Sequence, residues 1–290
     1  MVHSWAQDAL AVLCGGAVGF SLGLIGGGGS IFAVPLLLYV VGIGDAHVAI
    51  GTSASVVAAN AFLNLIGHWR AGNVVWPCAA TFAAAGIVGA AIGSSLGKIV
   101  DGQHLLFLFA LAMIAVAAAM LLPRADDRES KIRMTPAVTV RLVLIGLVVG
   151  MVSGFFGIGG GFLIVPGIML GSGMAILDAI GSSLLAVGMF GLTTAVNYAI
   201  SGLVDWTMAV LFIIGGIGGG FLGMRSAICL AQDQRLLRRI FAAIVFAVAI
   251  YMLARVGLPT GRAITGSQAS AISAYGPATV ELLRPPSASR

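Results

Sequence analysis

The sequence predicts an all-α integral membrane protein. It is made of two homologous repeats of about four hydrophobic segments each, with the first segment of each repeat broken or re-entrant. Three observations carry this expectation. Of 290 residues, 59% are hydrophobic and 9% charged, with a mean hydropathy of +1.08, whereas a soluble domain is about half apolar and a quarter charged. The apolar residues gather in runs near or beyond the ~20 residues that cross ~30 Å of hydrocarbon. The chain also matches itself at an offset of 130 or 131 residues.

With 15 Lys+Arg and 10 Asp+Glu, charge cannot wet the surface at the density soluble proteins use, so the surface faces lipid. The net charge of +5 arises from basic residues lying between apolar runs, where positive-inside topology accounts for them; no nucleic-acid partner is implied. Cys14, Cys78 and Cys229 stand singly in apolar stretches, with neither a CxxC pair nor a histidine at ligand spacing. They suggest no disulfide framework, metal site or cofactor. Residues Met1 to Asp8 lack a basic n-region, so the apolar run after them reads as a retained membrane segment.

Eight apolar segments follow in order, near 9–44, 46–68, 74–97, 104–122, 139–173, 175–200, 206–230 and 238–256. They divide the chain into a first transmembrane repeat (1–122), a charged connecting loop (123–138), a second repeat (139–256) and a Ser/Ala/Pro/Gly-rich tail (257–290) expected to be disordered. The segments 9–44 and 139–173 are too long for one crossing: as straight helices they would measure roughly 53 Å. Each carries a glycine cluster and a proline, and is expected to be interrupted.

The internal match is specific. Gly19, Gly23, Gly26, Gly28, Gly29, Val34 and Pro35 fall on Gly150, Gly154, Gly157, Gly159, Gly160, Val165 and Pro166. Ala49 to Ser53 falls on Ala179 to Ser183, and Gly86, Gly89 and Gly93 fall on Gly216, Gly219 and Gly223. If each long segment returns to the side it entered, each half crosses an odd number of times and the halves are inverted. Both basic loops then share one face with Arg70, the arrangement that positive-inside topology prefers and that secondary transporters use.

Two glycine-rich elements are the candidate site: Gly26, Gly27, Gly28, Gly29 and Ser30 in the first repeat, and Gly157, Gly159, Gly160 and Gly161 in the second. A glycine run inside a membrane opens the hydrogen-bond ladder, and bare N–H groups are tolerated only where they line a polar cavity. The half-helix after each break would aim N–H groups and a partial positive charge at an anion. Close helix packing through small residues is the competing explanation, and suits Gly19, Gly23, Gly86, Gly89 and Gly93. Thr52, Ser53, Ser182 and Ser183 offer hydroxyls for a bound anion or for back-bonding to their own helices. Asn60, Asn64 and Asn197 are amides within apolar segments, either interhelical glue or cavity lining. His68 and Arg70 are candidates for attracting an anion or serving as interfacial anchors. No charged residue lies between Asp8 and Asp45 or between Arg141 and Asp178, which favours an anion held by dipoles over a cation held by carboxylates.

The duplicated G-x-x-x-G-x-x-G-x-G-G pattern, the Gly-Thr-Ser and Gly-Ser-Ser starts and the H-x-R-x-G-x-V-x-W stretch from His68 to Trp76 resemble the sulfite exporter TauE/SafE family of membrane permeases. The resemblance covers roughly 9–256. It implies a multi-pass protein of the bacterial cytoplasmic membrane that exports small sulfur-containing anions such as sulfite or organosulfonates, with the glycine clusters and adjacent hydroxyls as the substrate site. The halves differ, since Ile158 replaces a glycine and Tyr198 and Ile200 stand where His68 and Arg70 stand. The expected partners are a small anion, membrane lipid and a coupling proton or sodium ion; which ion, which anion and which oligomeric state the sequence leaves open. A passive anion channel is the nearest alternative. An intramembrane serine hydrolase built on Ser53 and His68 is disfavoured, since 15 residues along one helix separate them by about 22 Å.

Overall fold

A computed structural model describes residues 5–121, 134–157, 161–230, 243 and 246–254. Met1–Leu253 forms one compact unit; the second, Ala254–Arg290, contributes only Ala254 to the described residues. The tail expectation for 257–290, most of the connecting loop, and Ile158, Gly159 and Gly160 lie outside them.

Among the described residues the chain is helical, with no strand. Helix α1 is Trp5–Ile25, followed by a 3-10 turn Gly26–Phe32, a short α2 (Ala33–Pro35) and a π turn Leu36–Val41. Then come α3 (Ala46–Arg70), α4 (Trp76–Gly97), α5 (Gly102–Leu121), α6 (Pro136–Phe156), α7 (Gly161–Ser172), α8 (Ile176–Ile200) and α9 (Trp206–Leu230). Six of these contain stretches long and apolar enough to cross a bilayer: Gln7–Ile25, Ala46–Arg70, Trp76–Gly97, Pro136–Phe156, Ile176–Ile200 and Trp206–Ala227. Their boundaries follow local chemistry. The Asp45 carboxylate accepts from the N–H groups of His47 and Val48 at the start of α3, satisfying donors no helix can satisfy internally. Thr135 does the same for Val138 at the start of α6, with Pro136 at the first helical position.

The two over-long segments are interrupted at Gly26 and Gly157. Both glycines have left-handed backbones (φ 66° and 68°), which a side chain would oppose. Each break comes after a helix of 21 residues, about 32 Å and enough to cross by itself. The chain then turns back. Gly167 lies against Ile145 and Val149, and Gly171 against Leu142, so α7 returns along α6. In the first half, α2 and the π turn likewise stay against α1.

Packing joins each half to the other. Helix α1 runs along α9 and α4 along α6, while α3 and α8 pack together centrally. Gly15, Gly19 and Gly23 of α1 meet the backbone of Phe212, Gly216 and Gly220 in α9. At matching positions, Gly146, Gly150 and Gly154 of α6 meet Phe82, Gly86 and Ala90 in α4. Small residues here let backbones touch, which is how helices associate where burial of apolar surface gives no gain.

Candidate functional site

The two glycine turns are each seated on the other half's hydroxyl-bearing helix. Gly157 abuts Ile50, and the Ser53 hydroxyl lies 3.3 Å from the Gly157 carbonyl. Gly26 abuts the Ile180 carbonyl and the Ser183 hydroxyl, each 2.8 Å from where a Cβ would stand. The 3-10 turn Gly26–Phe32 also touches α7 and α8, so the two interrupted segments meet, while Gly26 and Gly157 themselves sit at opposite ends of the α3–α8 pair. Gly27, Gly28 and Gly29 lie within that turn and Ser30 is fully buried there; Gly161 opens α7.

The hydroxyls divide into two kinds. Ser53 and Ser183 donate back to Ile50 and Ile180 at 2.8 and 2.7 Å. Thr52 and Ser182 accept across the halves: the Asp205 N–H donates to Thr52 Oγ1 (2.8 Å) and the Val75 N–H to Ser182 Oγ (2.9 Å). These bonds anchor the loops that lead into α9 and α4. The acceptors keep a hydrogen each, and a hydroxyl can donate while accepting.

A buried polar column runs along α3. Asn64 Nδ2 donates to the Asn60 carbonyl at 2.8 Å, and His68 Nε2 donates to the Gly23 carbonyl of α1 at 3.1 Å. Asn60 and His68 are fully buried, yet both amide atoms of Asn60 and His68 Nδ1 have no hydrogen-bond partner. Such groups are costly in a low dielectric. His68 is therefore no interfacial anchor, whereas Arg70, two residues on, is exposed.

The equivalent end of α8 is built differently. Asn197 donates to Ser94 (2.6 Å) and Ser95 (3.1 Å) and accepts from Lys98 Nζ at 2.7 Å. Lys98 also reaches the Ser201 hydroxyl, at 3.0 Å, and stands 6.0 Å from the Tyr198 ring centre. This ties α4 to α8. Thr194, Tyr198 and Ser153 are buried with unpartnered hydroxyls. Lys98, Thr194 and Ser153 are absent from the sequence-based candidates, although Thr194 lies 130 residues beyond Asn64 and that offset pointed to it.

Outside the spans, Asp101 precedes α5. N–H donation from Gln103 and His104, with the His104 side chain adding to it, holds its carboxyl below the usual range. An apolar cleft of about 210 Å³ lined by Gly93, Leu96, Met151, Val152, Phe155 and Phe156 opens between α4 and α6, with no hydroxyl side chain in its lining. Among the described residues no three His, Cys, Asp or Glu side chains gather as metal ligands. Ser53 and His68 sit on one uninterrupted helix, so the nucleophile–base contact a hydrolase needs does not form.

Among the described residues, six helices long and apolar enough to cross a bilayer, with two interrupted segments seated on the opposite half, define a multi-pass membrane protein. The family model for "Sulfite exporter TauE/SafE" matches residues 11–252. A probable membrane transporter protein of Xylella fastidiosa (strain 9a5c) is 52% identical over 246 residues, covering 83% of this chain and 93% of that protein. The probable membrane transporter protein YdhB of Bacillus subtilis is 28% identical, covering 72% and 85%. No solved structure matches the chain. The chain belongs to the TauE/SafE family and is a membrane transporter.

Proposed function

We propose that this transporter exports a small sulfur-containing oxyanion, sulfite or an organosulfonate, across the bacterial cytoplasmic membrane by alternating access between two inverted repeats. The observation that carries the proposal is the reciprocal seating of Gly157 on Ile50 and Ser53, and of Gly26 on Ile180 and Ser183. Each glycine turn meets a pair of hydroxyls of the opposite half, one turn at each end of the antiparallel α3–α8 pair, and no charged residue lies between Asp8 and Asp45 or between Arg141 and Asp178. Backbone N–H groups at such turns, supplemented by the spare hydroxyl hydrogens of Thr52 and Ser182, suit an anion that needs donors but no fixed cation. Rocking of one half against the other would expose these donors to each side in turn.

The test is binding followed by flux. Purified protein screened by thermal shift against sulfite, sulfate, thiosulfate, taurine and sulfoacetate should show a raised melting point with at least one sulfur oxyanion, since a ligand of the folded state stabilises it by mass action. In proteoliposomes that anion should move saturably, and Gly28→Leu should abolish its binding while leaving insertion intact. No stabilisation by any of the five, or unchanged flux in the variant, refutes the proposal; flux that never saturates favours a channel.

A further inference from the structure

The buried polar atoms left without partners are unequal in the two halves. Residues 60, 64 and 68 share one face of α3 by their four-residue spacing and are Asn, Asn and His; their counterparts on α8, at 190, 194 and 198, are Phe, Thr and Tyr. Only the first column holds an imidazole, the side chain whose unperturbed pKa lies near neutrality. Its Nε2 is committed to the Gly23 carbonyl, so the neutral ring carries its hydrogen there and Nδ1 is a bare, fully buried acceptor.

We propose that His68 takes up one proton at Nδ1 for each anion carried, making the protein a proton–anion symporter with a single coupling site on α3 beside Gly23. This rests on the anion-transporter reading. Gly23 is the α1 residue at the ring, and Asp8 is fifteen residues away along that helix, about 22 Å. From α9, Met224 covers neighbouring Gly67, while Arg225 is exposed over the Phe221 ring at 4.6 Å. Helices α3 and α8 lie antiparallel, with Tyr198 against Gly51 and Gly188 against Phe62. Tyr198 is thus at the far end of α3, and Asp178 is brought to the His68 end without pairing with the ring. His47, Asp101 and His104 cluster at the start of α3; Tyr39 of the return limb meets Tyr251 edge to face; Arg70 is exposed. Among the described residues none of these groups bonds to His68. An imidazolium there would be an uncompensated charge in a low dielectric. An arriving anion supplies the missing counter-charge, so protonation and anion binding must favour one another, and by linkage they do so equally.

The test counts protons by titration calorimetry of full-length protein in two buffers of different ionisation enthalpy. The probes are thiosulfate and sulfoacetate, both fully ionised at pH 7. About one proton should be taken up per anion, with affinity falling about tenfold for each pH unit above the imidazole range. His68→Gln should lose the uptake and flatten the pH profile. His68→Arg, permanently charged, should bind the anion with no proton uptake, and Asp178→Asn should leave uptake as in the parent. Anion binding without proton uptake in the parent protein overturns the symport proposal and spares the anion reading. Uptake that survives in His68→Gln, or is lost in Asp178→Asn, overturns the role of His68. Failure of both probes to bind ends both proposals. Should a variant not fold, the parent proton count and pH slope still decide.

Discussion

Replacing Gly157 with alanine tests the geometry of the break directly, because two separable costs meet there. The left-handed backbone (φ 68°) penalises a Cβ by about 1–2 kcal/mol. The same Cβ would drive into the Ile50 side chain, which is 2% exposed and has little room to yield; overpacking of this kind costs about 1–3 kcal/mol. The total is therefore about 2–5 kcal/mol. Gly173 supplies the control, with φ 72° and nothing within 4 Å of where a Cβ would stand. Gly173→Ala should show the backbone cost alone, about 1–2 kcal/mol. Ile50→Ala removes the steric partner, so the double variant Ile50→Ala with Gly157→Ala should recover about 1–3 kcal/mol relative to additivity. Equilibrium unfolding in mixed micelles reads all four proteins. A neutral Gly157→Ala would show that the turn is not left-handed. Additive behaviour of the pair would show that the second turn does not sit on Ile50.

Gly19→Ala and Gly150→Ala should each destabilise by about 1–3 kcal/mol, since the added carbons strike the carbonyls of Gly216 and Gly86; unfolding that separates the two by much more than this would contradict their equivalent packing. Thr52→Val and Ser182→Ala each strand one loop N–H and should cost about 1–3 kcal/mol, with hydrogen exchange accelerated specifically at Asp205 and Val75 respectively. Asp101 has a depressed folded pKa. The stability it contributes is thus present above the ordinary carboxylate range and is lost as pH falls through the folded value. The melting-point gap between parent and Asp101→Ala should accordingly close below about pH 4, and a gap unchanged into strong acid would refute the assignment.

The membrane class, the segment order and the two interruptions were legible because they depend on quantities carried locally by the chain: run length, glycine density and the offset match. That each break follows a complete crossing was harder to see, since hydrophobicity does not distinguish a helix from a helix and its return limb. The hydroxyls show the same limit. Thr52 and Ser53 are adjacent in sequence, yet one accepts from Asp205 and the other back-bonds to Ile50, a choice made by which neighbour the fold supplies. Lys98 reads as a loop cation at a segment end but closes a network with Asn197 and Ser201, about 100 residues away. His68 reads as an interfacial residue because it stands two positions from an exposed arginine; a single carbonyl, Gly23, draws it inward.

The crossed partnership of the helices sets a timetable for synthesis. Helix α4 meets its partner α6 about 40 residues after leaving the ribosome, but α1 must wait about 180 residues for α9. At 5–20 residues per second that delay is roughly 10–40 s, during which the glycine face of α1 has only lipid or the insertion machinery beside it. The nascent chain therefore closes from its middle outward, and its first helix is among the last to be locked in place.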